Sequence, residues 1–145
     1  MRSFVTAMAL AIGVIFLPGC APSTAQGVRA LGPGRATSFV AQEGYQAVYR
    51  KVITNARNCY QTGAITAQQV VQGDIYSDIK SGSVTVAMHG GLGVDTYQVY
   101  DIAALDDRRT KVTGYFSIGP ADQYGRQLWG WVMQGTSECI PIMQW

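Results

Sequence analysis

The three cysteines carry the most versatile chemistry in this chain of 145 residues. A cysteine thiol can attack an electrophile, bind a metal, accept an acyl chain or pair with a second thiol. Cys20 follows an N-terminal apolar run, whereas Cys59 and Cys139 lie far apart in the remainder. His89 is the single histidine, and one histidine with two distant cysteines is a poor ligand set for a metal. We therefore predict no metal site and no cofactor.

The first residues have the layout of a bacterial export signal. Arg2 supplies a positive start, and residues 4–16 form an apolar run of about 13 residues. A membrane-spanning helix needs roughly 20 apolar residues, so this run is too short to span. It ends in Leu17-Pro18-Gly19-Cys20, which resembles the lipobox that signal peptidase II reads in bacterial lipoproteins. Pro18 departs from the Ala, Ser or Thr that is usual there.

The resemblance to bacterial lipoproteins implies an address in the cell envelope. In that class residues 1–19 are removed and the cysteine, here Cys20, becomes the lipid attachment site. Two or more acyl chains anchor a protein stably to a membrane without spanning it. The family's sorting rule reads the next residue, and Ala21 in place of Asp implies the outer membrane, facing the periplasm. The alternative is an ordinary secretory signal with an incidental cysteine.

An exported chain would fold where thiols are oxidised. Lipidation uses Cys20, which leaves Cys59 and Cys139, and we predict a disulfide between these two. The bond would close a loop of about 80 residues, and loop-closure entropy makes such a cross-link worth about 4 kcal/mol. Two free buried thiols are the alternative.

Two short motifs suggest catalysis but are better explained as turns. His89-Gly90-Gly91 resembles the oxyanion loop of lipases and esterases, yet the chain lacks their Gly-x-Ser-x-Gly nucleophile elbow. Ser77-Asp78-Ile79-Lys80 matches the Ser-x-x-Lys pattern of penicillin-binding proteins, but it lies between two candidate strands and lacks the companion motifs. The candidate acid–base or calcium carboxylates lack EF-hand spacing; they are Asp95, Asp101, Asp106 and Asp107. We therefore predict that the chain is not an enzyme.

The charge pattern is weak and mixed. Charged residues make up 14% of the chain, and the formal net charge is +2. A short basic cluster at Arg108, Arg109 and Lys111 lies beside Asp106 and Asp107, which is typical of a solvated hairpin tip. Nothing in this pattern favours binding to nucleic acid.

The segment order begins with a tether and a helix. Residues 20–37 are rich in Gly, Pro and small side chains, and they predict a flexible tether. Apolar residues then recur on one helical face at Tyr45, Val48, Tyr49, Val52, Ile53 and Ala56. This spacing predicts a helix that begins near Ser38 or only after Gly44, and that stops near Gly63.

Four strands and a second helix are predicted next. The candidate strands are residues 70–76, 83–89, 94–105 and 108–118, and their short connections favour an antiparallel meander. From Pro120 onward a helical period returns, although Trp129-Gly130-Trp131-Val132 also fits a strand. The fold class predicted for residues 38–145 is α+β, in the order α-β-β-β-β-α, with both helices on one face of the sheet.

One further resemblance concerns the first helix. Tyr45-Gln46-Ala47-Val48-Tyr49-Arg50 with Ala56-Arg57-Asn58-Cys59-Tyr60 is similar to a stretch in small uncharacterised proteobacterial lipoproteins. The resemblance covers about 16 residues, and it implies the same address without implying an activity.

These observations favour a non-catalytic module, lipid-anchored in the envelope, that holds a partner protein or an envelope component near the membrane. The alternative is a module that binds a small molecule or lipid in a groove between the sheet and the helices. The candidate walls of such a groove are Tyr97, Tyr100, Tyr115, Trp129, Trp131 and Trp145.

Overall fold

The computed structural model describes residues 22–142. The helices are α1 (Ala25–Arg29), α2 (Tyr45–Tyr60) and α3 (Ala121–Trp129), with a 3-10 turn at Pro33–Arg35 and a π-helical turn at Gly130–Gln134. The strands are β1 (Ala36–Ala41), β2 (Thr62–Ala64), β3 (Ala67–Tyr76), β4 (Ser81–Gly90), β5 (Gly93–Ala104) and β6 (Thr110–Phe116). The fold is therefore α+β, as the sequence predicts.

The strands form one antiparallel sheet in the order β1-β6-β5-β4-β3-β2. The last four strands in the chain are the four that the sequence predicts, and they form the expected meander. The predicted total of four is wrong, because β1 and β2 extend the sheet to six strands in the described residues. Strand β2 has three exposed residues, so it carries no apolar alternation to read. Strand β1 lies next to a Gly- and Pro-rich segment that masks its short alternating pattern.

Helix α2 covers the core face of the sheet. Val48, Val52 and Ala56 are buried on the predicted helix face, which packs against β3, β4 and β5. The helix begins after Gly44, the later of the two predicted starts, and ends at Tyr60, before the predicted stop. Its close approach to the sheet depends on Gly73 in β3, where a Cβ would collide with side chains of α2.

Helix α3 packs on the same face, over β1 and β6. The prediction of a helix after Pro120 is confirmed, and the alternative strand at residues 129–132 is replaced by the π-helical turn. Leu128 and Trp131 are buried, and a Cβ at Gly114 of β6 would lie 2.8 Å from Cδ2 of Leu128. The side chains of α2, α3 and the core face of the sheet therefore form one continuous core.

Helix α1 requires a correction to the predicted tether and to the predicted order of elements, because α1 and β1 both precede α2. Residues 20–37 were expected to be a flexible tether, yet within them α1 and the 3-10 turn are formed and Val28 of α1 is buried. The helix also lies on the other face of the sheet. Its Arg29 binds Ser83 and Asp101, which alternate with core residues along β4 and β5. The two helices that the sequence predicts, α2 and α3, therefore share one face as expected, whereas α1, which was not predicted, lies on the other.

Candidate functional site

The sheet has two chemically different ends. At one end lie the β2–β3 turn and the β4–β5 turn, and we call this the apolar end. At the other end the β3–β4 turn and the β5–β6 turn meet the start of α2, and we call this the charged end. The ionisable residues of the charged end are Glu43, Arg50, Asp78, Lys80, Asp106, Asp107, Arg108 and Arg109.

The apolar end carries two exposed aliphatic side chains. Ile65 and Leu92 are fully exposed, one at each hairpin tip. The two tips are neighbours, because Ala67 of β3 pairs with Gly90 of β4 beside both turns. Residues 62–73 contain no charged side chain, and residues 81–94 contain only His89 as a titratable group. Asp95 in β5 is the nearest carboxylate along the β4–β5 hairpin.

His89 lies in this end as a strand residue beside a turn. It pairs with Gln68 of β3 and Val94 of β5, and the next residue, Gly90, pairs with Gly93 to close the β4–β5 hairpin. Gly93 has a φ of +128°, which an L side chain rarely adopts. A cleft of about 500 Å³ beside His89 has Thr66 as its single hydroxyl-bearing residue. The structure therefore places His89 in the hairpin that the sequence predicts.

The first described residues lie on the outer face of the sheet, which is the face opposite α2 and α3, and they are close to the apolar end. The carbonyl oxygen of Pro22 accepts a hydrogen bond from the backbone N–H of Thr96 in β5, at 2.7 Å. Gly27 leaves room for this contact, since a Cβ there would come within 2.9 Å of Cβ of Pro22. Thr24 then caps α1 by accepting from the N–H of Gly27 at 3.1 Å. Pro22 is two residues beyond Cys20, which lies outside the described residues.

Helix α1 is fastened at its other end by an ion pair. Nε and Nη2 of Arg29 donate to the two carboxylate oxygens of Asp101 at 2.8 Å and 2.6 Å, and Nη2 also donates to Ser83 at 3.0 Å. The hydrogen bond to Asp101 raises the pKa of Arg29, against the opposing effect of burial. Asp101, a candidate acid–base residue from the sequence, therefore serves as a structural partner of α1.

The charged end holds a cleft of about 540 Å³ at the start of α2. Lys80 and Asp107 form an ion pair across it at 3.0 Å, and this hydrogen bond raises the pKa of Lys80. Asp106 accepts from the backbone N–H of Arg108 at 2.9 Å and from Nε of Arg109 at 2.7 Å, and these bonds lower the pKa of Asp106. The cleft is completed by Gly44, Tyr45, Gln46, Ala47, Arg50 and Ser77.

The two turn predictions at this end are confirmed. Ser77 and Lys80 lie in the turn that joins β3 to β4, where Tyr76 pairs with Ser81. Asp106 and Asp107 lie between β5 and β6, and Asp106 accepts backbone N–H groups two and three residues on, as turn carboxylates do. These groups make a surface of mixed charge.

A cluster of buried polar side chains lies in the core beside the predicted disulfide. The hydroxyl of Tyr60 donates to Gln127 at 2.7 Å, and the hydroxyl of Tyr100 donates to Gln98. Burial raises the pKa of Tyr60 to about 12 and raises the pKa of Tyr100 well above its usual value. Among the described residues, Nε2 of Gln98 is the buried side-chain atom that lacks a hydrogen-bond partner.

The C-terminal segment is held to this cluster by polar and covalent bonds. Gln127 and Trp131 both donate to the carbonyl oxygen of Glu138, each at 2.9 Å. The adjacent Cys139 forms the predicted disulfide with Cys59, with their Cα atoms 5.3 Å apart. The bond links the last turn of α2 to the segment after the π-helical turn.

The described aromatic residues among the proposed groove walls do not line one groove, although Tyr100 and Trp131 are in contact inside the core, with their ring centroids 6.1 Å apart. Tyr97, Tyr100 and Trp131 are buried in the core. Tyr115 is on the outer face of β6, opposite Ala36 of β1. Trp129 is partly exposed and lines a separate cleft of about 570 Å³ beside α3. Trp145 lies outside the described residues.

Across residues 22–142, no three His, Cys, Asp or Glu side chains group in a way that could hold a metal ion. Within the same range no helix has the length and apolar character needed to cross a membrane. Comparisons of the chain with protein-family models, curated proteins and solved structures found no match.

The sequence alone did not predict the hydrogen bond between Pro22 and β5, or helix α1 that follows it. Thr24 is a typical N-cap residue, and this was the signal that could have located α1. The helix has five residues, however, which is too short for an apolar period to be recognised.

Proposed function

We propose that the protein is a non-catalytic module, lipid-anchored in the bacterial envelope through Cys20, whose charged end binds a protein or another envelope component. The observation that carries the proposal is the hydrogen bond between Pro22 and Thr96. Two residues of extended chain reach at most about 7 Å, so a lipid on Cys20 would hold the folded domain directly at the membrane surface. The outer membrane, facing the periplasm, is the location that Ala21 favours.

The distribution of reactive groups supports binding over catalysis. His89 belongs to the apolar end, whereas Ser77 and Lys80 belong to the charged end, at opposite ends of β4. Asp101 is engaged by Arg29, and Asp106 is engaged by the turn that contains it. Catalysis by a nucleophile and a base needs both within hydrogen-bond reach. His89 lies at the other end of β4 from Ser77, and the ammonium group of Lys80, which lines the same cleft as Ser77, is bound to Asp107.

The alternative of a small-molecule groove has weaker support. Tyr97, Tyr100 and Trp131 occupy the space between the sheet and the helices, where the ligand would lie. The cleft at the charged end suits a protein surface better. It is open, and its mixed charges can steer and orient a partner of complementary charge.

The partner surface can be tested by site-specific photocrosslinking in cells. A photoreactive residue at Gln46, which lines the charged cleft, should form an adduct with an envelope component. The same residue at Gln72, exposed in β3 away from that cleft, serves as the matched control. We expect Arg50→Glu with Lys80→Glu to abolish the adduct at position 46 while protein abundance is unchanged.

Anchoring is tested in parallel by labelling cells with a palmitate analogue. The wild-type protein should be labelled and should float with membranes, and Cys20→Ser should do neither. Equal labelling of both proteins would contradict the anchor. Adducts of equal yield at positions 46 and 72 would contradict a partner surface at the charged end.

A further inference from the structure

The two hairpin tips of the apolar end are unusual for their complete exposure. Ile65 and Leu92 project from neighbouring turns and are fully exposed. The other exposed aliphatic residues of the described surface are partly covered by their neighbours. The strand segments beside both tips lack charged side chains, so the tips could enter an apolar medium without stripping water from an ion. Asp95 is the first carboxylate along β5 and would stay in the aqueous layer.

The direction of α1 places Pro22, the first described residue, towards the apolar end of the sheet. Pro22 is bonded to Thr96, and Arg29 at the end of α1 is bonded to Asp101, so α1 runs along β5 away from the apolar end. Leu92 is four residues before Thr96, about 13 Å along a strand. Cys20 is two residues before Pro22, which limits its distance from Pro22 to about 7 Å. Pro22 is therefore closer along β5 to the hairpin tips than to the charged end, and the proposed attachment point is limited to the surroundings of Pro22.

We propose that Ile65 and Leu92 insert into the lipid surface that holds Cys20, and so dock the domain with its apolar end on the membrane. The proposal rests on the lipid anchor proposed above. The anchor brings the tips to the bilayer, and the two aliphatic side chains then fix the orientation of the domain. The charged end faces away from the lipid in this orientation, and its cleft stays accessible to a partner.

The orientation can be measured with the full lipidated chain in vesicles of phosphatidylethanolamine with a minor fraction of phosphatidylglycerol. An environment-sensitive fluorophore is attached to Ile65→Cys, to Leu92→Cys and, as the matched control, to Ile79→Cys. Ile79 is an exposed aliphatic residue in the β3–β4 turn of the charged end. The disulfide and the lipid leave the introduced cysteine as the free thiol.

We expect emission from positions 65 and 92 to shift to shorter wavelength on reconstitution. A quencher attached to the lipid chains should quench these two positions severalfold more than position 79. Equal, weak quenching at all three positions, in a protein that floats with the vesicles, would overturn the insertion and leave the anchor intact. Failure of the wild-type protein to float would overturn both proposals. Positions 65 and 92 could also be shielded from solvent in cell envelopes but not in vesicles that contain no other protein. That result would overturn insertion in favour of a protein partner.

Discussion

At the scale of single residues, two buried tyrosines donate the hydrogen bonds of the polar cluster inside the core. Tyr60 and Tyr100 are almost inaccessible, and each hydroxyl donates to the amide oxygen of a glutamine. Buried hydroxyls stay neutral because ionisation would place a charge where water cannot reach it. The cluster links α2 to α3, and through Gln127 it also holds the C-terminal segment.

Tyr60 makes stability depend on alkaline pH. Its pKa rises from 10.0 to about 12 on folding, so its contribution is complete below about pH 10 and is lost as the pH rises towards 12. The loss amounts to about 2–3 kcal/mol. Tyr60→Phe removes this loss but also removes the bond to Gln127, which costs about 1 kcal/mol at neutral pH.

Urea unfolding at several pH values should therefore show a variant that is less stable at neutral pH but less sensitive to alkali than the wild type. A stability difference that stays constant from neutral pH to about pH 12 would contradict the buried hydroxyl.

At the scale of elements, the sequence predicts the parts that repeat a pattern long enough to recognise. Helix α2 and strands β3 to β6 show sustained apolar spacing, and all are present. Helix α1 and strand β2 are short, and their identity depends on contacts made after folding. The bond from Thr96 to Pro22 and the ion pair of Arg29 with Asp101 are distant in sequence, so no local pattern reveals them.

The burial of α2 can be tested by placing a charge on its inner face. Val52 is fully buried against the sheet. Val52→Asp should lower the free energy of unfolding by several kcal/mol, since the carboxylate has no buried partner or must stay protonated. Thr54→Asp, at an exposed position of the same helix, is the control and should change stability far less. An unchanged melting temperature for Val52→Asp would contradict the packing of α2.

The fastening of α1 can be tested at Arg29. Its ion pair with Asp101 is partly buried and has two hydrogen bonds. We expect Arg29→Gln to lower the free energy of unfolding by about 1–2 kcal/mol and to expose the amides of α1 to faster hydrogen exchange. The matched control is Arg126→Gln, because Arg126 pairs with Asp122 on the surface of α3, where such pairs contribute about 0.3–0.5 kcal/mol. Equal effects in the two variants would show that Arg29 does not hold α1.

At the scale of the whole molecule, the apolar end and the charged end lie at opposite ends of the strands of the sheet. The sequence predicts the turns that contain Leu92, Lys80 and Asp107, but not the turn that contains Ile65, because β2 is too short and too exposed to recognise. It does not show that the two apolar tips are neighbours, or that Pro22 is bonded to Thr96 in the same half of β5 as the tip at Leu92. Those relations come from strand pairing, which brings together residues far apart in the chain.

Lipid on Cys20, two residues before the described fold, is the anchor that we propose for the domain. Mass spectrometry of the protein purified from membranes tests it most directly. After trypsin, the first peptide should comprise residues 20–29 and begin with an acylated cysteine, because cleavage before Cys20 and after Arg29 defines its ends. The same peptide with an unmodified cysteine, or a peptide that extends upstream of Cys20, would contradict the account.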